Sequence, residues 1–156
     1  EQFALNDSMT GFYNRNAYDY FIYNEKNIKN YMVVTFDLNN LKMCNDNYGH
    51  SSGDAYIIHS AHIIETTFDR FGKCYRIGGD EFCCLIPDAA EFQIERFIQK
   101  MQQDIAILNN KNIIPTEVGI ACGYALATPD DADIEKVRER ADEMMYHNKK
   151  VLKGLI

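Results

Sequence analysis

The sequence predicts an α+β domain in which helices pack on a mixed or antiparallel sheet, and three observations predict it. Segments with apolar residues at helical spacing alternate along the chain with short apolar, β-branched runs. Two such runs flank Gly78-Gly79, so a β-hairpin sits in the middle of the element order. A hairpin makes antiparallel neighbours, which a purely parallel doubly wound sheet does not contain. At 156 residues, residues 1–156 read as a single domain with enough apolar side chains for a core.

Asn14 to about Lys26 carries Ala17, Phe21 and Ile22 at helical spacing, after the polar segment Asp7-Ser8-Met9-Thr10-Gly11-Phe12-Tyr13. Tyr31 to Phe36 reads as a buried strand that stops at Asp37-Leu38-Asn39-Asn40, an acid at a strand end where chemistry is often placed. Leu41 to His50 is too polar for a strand and suits one or two helical turns ending near Gly49. A longer helix is predicted from about Gly53, with Ile57, Ala61, Ile64, Phe68 and Phe71 on one face and Ser51 or Ser52 as its cap. The hairpin occupies Tyr75 to Ile86. Asp88 and Glu91 have the spacing of a capping box, ahead of an amphipathic helix marked by Ile94, Phe97, Ile98, Met101, Ile105 and Leu108. Ile113 to Ala125 alternates at Val118, Ile120, Cys122 and Tyr124, the period of a half-buried strand. After the turn Thr128-Pro129-Asp130-Asp131, a last helix runs through Ile134, Val137, Ala141, Met144 and Met145 to the basic Lys149, Lys150 and Lys153.

A net charge of −7 argues against nucleic acid or an anionic membrane as partner, while a small anion remains admissible where a few cations converge. The five cysteines contain no C-x-x-C pair and read as reduced, buried hydrophobes. His59 and His62 lie one turn apart without a third ligand, so they do not make a zinc site. No run is long enough to span a membrane and the first residues do not resemble a signal peptide, so a soluble cytoplasmic domain is expected. The chain starts without Met, as would a piece of a longer, regulated protein.

The sharpest feature is the hairpin tip, Gly78-Gly79-Asp80-Glu81. Acidic turns are common on solvated surfaces, and these residues alone allow that reading. They equally suit a metal-bound polyphosphate, with bare glycine amides near its oxygens and carboxylates holding Mg²⁺.

Residues spread over nearly the whole chain resemble the GGDEF family of diguanylate cyclases. Asp7 to Arg15 is similar to that family's D-x-L-T-G-L-x-N-R, Asp37 to Asp46 to its D-x-D/N-x-F-K-x-x-N-D, and Tyr48 to Asp54 to its Y-G-H-x-x-G-D. Gly78 to Phe82 is the complete signature, and Ala141 to Lys149 resembles the closing A-D-x-A-L-Y-x-A-K. The resemblance implies a central five-stranded, mainly antiparallel mixed sheet of the nucleotidyl-cyclase and polymerase-palm kind, and condensation of two GTP molecules into cyclic di-GMP. It implies Mg²⁺ or Mn²⁺ held by Asp37, the Leu38 carbonyl and Asp80. Asp80, Glu81 and Lys42 become the catalytic candidates, and Leu41, Lys42, Lys149 and Lys153, with Gly78 and Gly79, the phosphate-binding ones. Asn45 and Asp54 match the family's readers of guanine. A homodimer, each subunit presenting one GTP, and an upstream regulatory domain are also implied.

Departures have consequences. Asp69 and Gly72 stand where the family often carries an inhibitory R-x-x-D, so no product feedback at that place is expected. Leu152 replaces a usual Gly and Lys153 a usual Arg, exchanging a bidentate guanidinium for a point charge. The competing expectation is a module that binds GTP without turning it over.

Overall fold

A computed structural model describes residues 5–154. In chain order the elements are α1 (Arg15–Asn24), β1 (Met32–Leu38), α2 (Leu41–Tyr48), α3 (His50–Phe68), β2 (Lys73–Arg76), β3 (Glu81–Ile86), α4 (Ile94–Asn110), β4 (Ile120–Leu126) and α5 (Ile134–Leu152). The strands form one sheet in the order β2-β3-β1-β4, with every strand pair antiparallel. The expected α+β class with an antiparallel sheet is present. The fifth strand and the mixed character are not, among the described residues. A parallel contact survives only as an isolated bridge between Tyr13 and Tyr75 at the β2 edge, where the amino-terminal turn lies against the sheet without extending it as a strand.

Alternation along β1 sends its side chains into two cores. Met32, Val34, Phe36 and Leu38 join Ile57, Ile64, Phe68, Met101 and Ile105 of α3 and α4. Val33 faces Ala17 and Tyr18 of α1 and Val137 and Ala141 of α5. Helices therefore cover both sides, and all seven β1 residues are buried. Asp37, on the α1 and α5 side by alternation, is almost wholly removed from bulk water.

Three boundaries differ from the sequence reading. α3 begins at His50, directly after a left-handed Gly49, and has no side-chain cap from Ser51 or Ser52. Asp88 adopts φ +52° while Ala89 donates to the Asn30 carbonyl, so the Asp88–Glu91 box does not form and α4 starts after Gln93. The last strand starts only at Ile120, because Val118 is claimed by the Asn109 amide, which bonds both its N–H and its carbonyl.

Gly123 fixes how closely α5 approaches β4. A Cβ there would lie 2.2 Å from the Ala141 carbonyl oxygen and 2.4 Å from the Met145 nitrogen, both backbone atoms. Gly123→Ala is expected to cost about 1–3 kcal/mol in urea denaturation by overpacking; a change within about 0.5 kcal/mol would show that α5 yields freely.

Candidate active site at the end of the first strand

The β1–β3 register places Glu81 directly opposite Asp37. One residue further, the Leu38 N–H donates to the Asp80 carbonyl at 3.0 Å, which binds the hairpin tip to the end of β1. Like charges opposite one another oppose sheet formation, so packing on both faces has to hold this arrangement. Asp37 is only 4% exposed. Its Oδ2 accepts from Lys149 Nζ at 3.2 Å, and its Oδ1 is buried with no partner. Burial pushes the Asp37 carboxyl above the ordinary carboxylate range, and the Asp80 charge adds to that. Lys149 opposes the shift and Glu81 reinforces it slightly. The predicted carboxylates Asp37 and Asp80 are thus within electrostatic reach of each other.

At the corner, neither Gly78 nor Gly79 adopts a left-handed φ, so the backbone freedom expected of the pair is not what is used. Space is used instead. A Cβ on Gly78 would lie 2.8 Å from Glu81 Oε1, and one on Gly79 would meet nothing within 4 Å, leaving that backbone open to a ligand. Arg76 braces the corner from behind, donating from Nη2 to the Gly79 carbonyl at 2.8 Å and from Nη1 to Asp7 at 3.1 Å. Thr10 also donates to Asp7, from its amide and its hydroxyl.

Beside the corner, Leu41, Lys42, Asn45, Asp46 and His50 border an open groove of about 280 Å³ together with Gly79 and Asp80. α2 starts from a left-handed Asn40 that gives no side-chain cap, so the first amides of the helix, at Leu41 and Lys42, are available to an anion. A larger hollow of about 480 Å³ near Thr116 to Ile120 has Glu117 as its charged residue and no cation. Asn45 is half-buried and rests over Gly53, where a Cβ would come within 1.7 Å of Asn45 Oδ1.

Not every predicted residue converges. Lys42 is exposed and its ammonium is on Asp46 at 2.8 Å, which raises its pKa. Asp54 is exposed in the first turns of α3 and does not border the groove. Lys153 caps α5 through its backbone N–H, and its ammonium has no hydrogen bond or ion pair among the described residues. Lys149 is held on Asp37. Among the described residues no three Asp, Glu, His or Cys side chains gather as a ready metal cage.

Three supporting residues carried no role in the sequence reading. Arg76 stood in plain view as an arginine beside the glycine pair. The Tyr56 hydroxyl spans from α3 to accept the Gly119 N–H at 3.0 Å and donate to the Asn39 carbonyl, joining the ends of β1 and β4. Asn148 accepts the Cys122 N–H at 2.9 Å, fixing the turn of α5 that bears Lys149. The buried Tyr56 had no partner visible in sequence, and Asn148 sat unremarked beside Lys149.

Two expectations follow from these contacts. Alanine in place of a helical glycine normally stabilises by about 0.5–1 kcal/mol, but Gly53→Ala must push the Asn45 amide aside. Thermal denaturation is expected to show no such gain, with the melting temperature unchanged or lower than the parent's; a rise corresponding to about 0.5–1 kcal/mol would show that Asn45 yields freely. For Asp37, a folded pKa raised above the unfolded value of about 3.9 means that stability present below that value is lost as pH rises through the folded one. Without divalent cations, Asp37→Asn is therefore expected to melt higher than the parent at about pH 7.5, with the gain vanishing near pH 3.5. A lower melting point at neutral pH would contradict the burial cost.

A family model described as "Diguanylate cyclase, GGDEF domain" matches residues 4–153. The chain is 31% identical over 152 residues to diguanylate cyclase DgcN of Escherichia coli K12, covering 94% of this chain and 37% of that protein. It is 27% identical over 155 residues to diguanylate cyclase DgcS of Shewanella oneidensis, covering 94% and 50%. It thus spans half or less of the length of these relatives. Among solved structures, the GGDEF domain of DgcB from Caulobacter crescentus, in complex with c-di-GMP, superposes with a TM-score of 0.82 at 23% identity, over 96% of this chain and 92% of that one. With that match across nearly all of its length, and with the acidic hairpin tip bound to the end of the first strand, the chain belongs to the GGDEF, diguanylate cyclase, family.

Proposed function

We propose that this domain is a diguanylate cyclase, joining two GTP molecules into cyclic di-GMP with release of two pyrophosphates. The observation that carries the reading is Asp37: a carboxylate buried at a strand end, with one oxygen unpartnered and the Asp80 charge beside it, fits a divalent cation. Asp37, Asp80 and the Leu38 carbonyl would hold Mg²⁺ or Mn²⁺, the remaining ligands coming from phosphate and water, as suits a hard cation. When bound, that ion neutralises phosphate charge as a 3′-hydroxyl attacks the α-phosphorus of the partner GTP.

The chain's own residues do the positioning. The open backbone at Gly78 and Gly79 lets the triphosphate approach, the amides of Leu41 and Lys42 meet its oxygens, and Lys42, Lys149 and Lys153 supply charge. Asn45 meets guanine from the groove; Asp54, exposed on α3 outside that groove, would have to reach the base to accept from its N1 and N2 hydrogens. Asp80 or Glu81 takes the proton of the attacking hydroxyl. Each subunit contributes one GTP, so the reaction needs a homodimer facing across a two-fold axis. Regulation comes from a domain outside this chain, in keeping with the greater length of the relatives.

Product feedback through an R-x-x-D site is absent from this reading. A Cβ at Gly72 would lie 2.2 Å from the Leu85 carbonyl oxygen, so the position has no room for the aspartate. The second reading is a GTP-binding module without turnover, favoured by the pairing of Lys42 with Asp46 and of Lys149 with Asp37. No helix among the described residues is long and apolar enough to cross a membrane.

Incubation with GTP and Mg²⁺ at several protein concentrations, with chromatography of the products, decides between the readings. Cyclic di-GMP rising more than proportionally with protein, and falling at least about a hundredfold in Asp80→Ala, is the expected outcome. GTP binding without product at any concentration would establish the silent module.

A further inference from the structure

We propose that Lys149 is the resident counter-ion of Asp37, and that a divalent cation displaces it, so that cation binding releases its ammonium toward the triphosphate. The inference rests on the cation reading of the site given above. It starts from the placement of the ammonium on Asp37 Oδ2 at 3.2 Å, with the other carboxylate oxygen unpartnered. The Asp37 side chain is 6% exposed and that of Lys149 25% exposed. A cation ligating Asp37 would therefore meet a second positive charge on the same carboxylate, out of reach of full solvent screening.

The two cannot share it comfortably, and the structure shows which of them can move. The backbone of α5 is fixed by its close seat on Gly123 and by the bond from the Cys122 N–H to Asn148. Only the flexible four-carbon stem of Lys149 has freedom, and its partial exposure gives it a way out. Lys42 does not compete for Asp37, since it lies on Asp46 at the surface. The charged groups that bear on Asp37 besides Lys149 are Asp80 and Glu81, both acidic, so loss of Lys149 leaves a net-negative site. Linkage makes the consequence reciprocal: phosphate that draws Lys149 away favours the cation, and the cation favours phosphate. A lysine that only bound phosphate would leave cation affinity in the absence of nucleotide unchanged.

The test measures Mn²⁺ binding without nucleotide, from the paramagnetic resonance signal of the free ion. Lys149→Gln is expected to bind Mn²⁺ about fivefold or more tightly than the parent while binding GTP more weakly. Lys149→Arg, which keeps a cation in place, should stay within about twofold of the parent, and Asp37→Asn should lose the site. A second measurement needs no variant: acylation of the Lys149 amine in the parent protein, followed by mass spectrometry, should rise several-fold on saturation with Mg²⁺. If Asp37→Asn abolishes Mn²⁺ binding, yet Lys149→Gln binds no tighter and Lys149 labelling ignores Mg²⁺, the proposal is overturned and the cation site stands. If Asp37→Asn binds Mn²⁺ like the parent, the cation reading fails and takes this inference with it.

Discussion

A carboxylate buried at the end of the central strand is the constraint to which the rest of this fold answers. Asp37 is closed in by helices on both faces of the sheet, faces Glu81 across β1–β3, and lies in the field of Asp80. Left alone such a group would be neutralised or would unfold the strand end. Two large apolar cores hold it in place, and a single ammonium, on α5, offsets part of its charge. A fold that buries Asp37 in the field of Asp80 and Glu81 carries a cost that a purely structural sheet would shed, and a cation arriving with phosphate would offset that cost.

Close backbone approach does much of the positioning. Gly53 makes room for the Asn45 amide, Gly78 for the Glu81 carboxylate, and Gly123 for the α5 backbone. Each glycine acts by the absence of a Cβ, without recourse to a left-handed φ. Polar braces complete the frame: Thr10 orients Asp7, Asp7 holds Arg76, Arg76 holds the Gly79 carbonyl, and Tyr56 ties the strand ends together. The amino-terminal turn is thereby linked mechanically to the corner that phosphate would occupy.

The elements were legible where apolar periodicity was long. α3, α4, α5 and β1 follow from their spacing, and the hairpin from its paired glycines. The start of α4 was misread because Asp88 and Glu91 match a capping box in sequence, whereas a left-handed Asp88 and the Ala89–Asn30 bond claim that stretch for a turn. The start of β4 was misread because Val118 keeps the alternating pattern while its backbone is bonded to Asn109. Motif order pointed to Asp37, Asp80 and Asn45; Asp80 and Asn45 border the groove, while Asp37 lies buried behind it at the end of β1. That order could not show that Lys42 and Lys149 are already engaged, since those pairings depend on side-chain placement. Arg76, Tyr56 and Asn148 escaped for the same reason: their partners are backbone atoms or an acid brought near by folding.

Asp37 at the end of β1 and Asp80 at the hairpin tip would together hold one divalent ion against the triphosphate. The most direct measurement is anomalous diffraction from crystals grown with Mn²⁺ and a GTP analogue that cannot be turned over. A manganese peak within about 2.5 Å of carboxylate oxygens of both residues is the predicted result. Manganese held by phosphate oxygens alone, with Lys149 still seated on Asp37, would contradict the account.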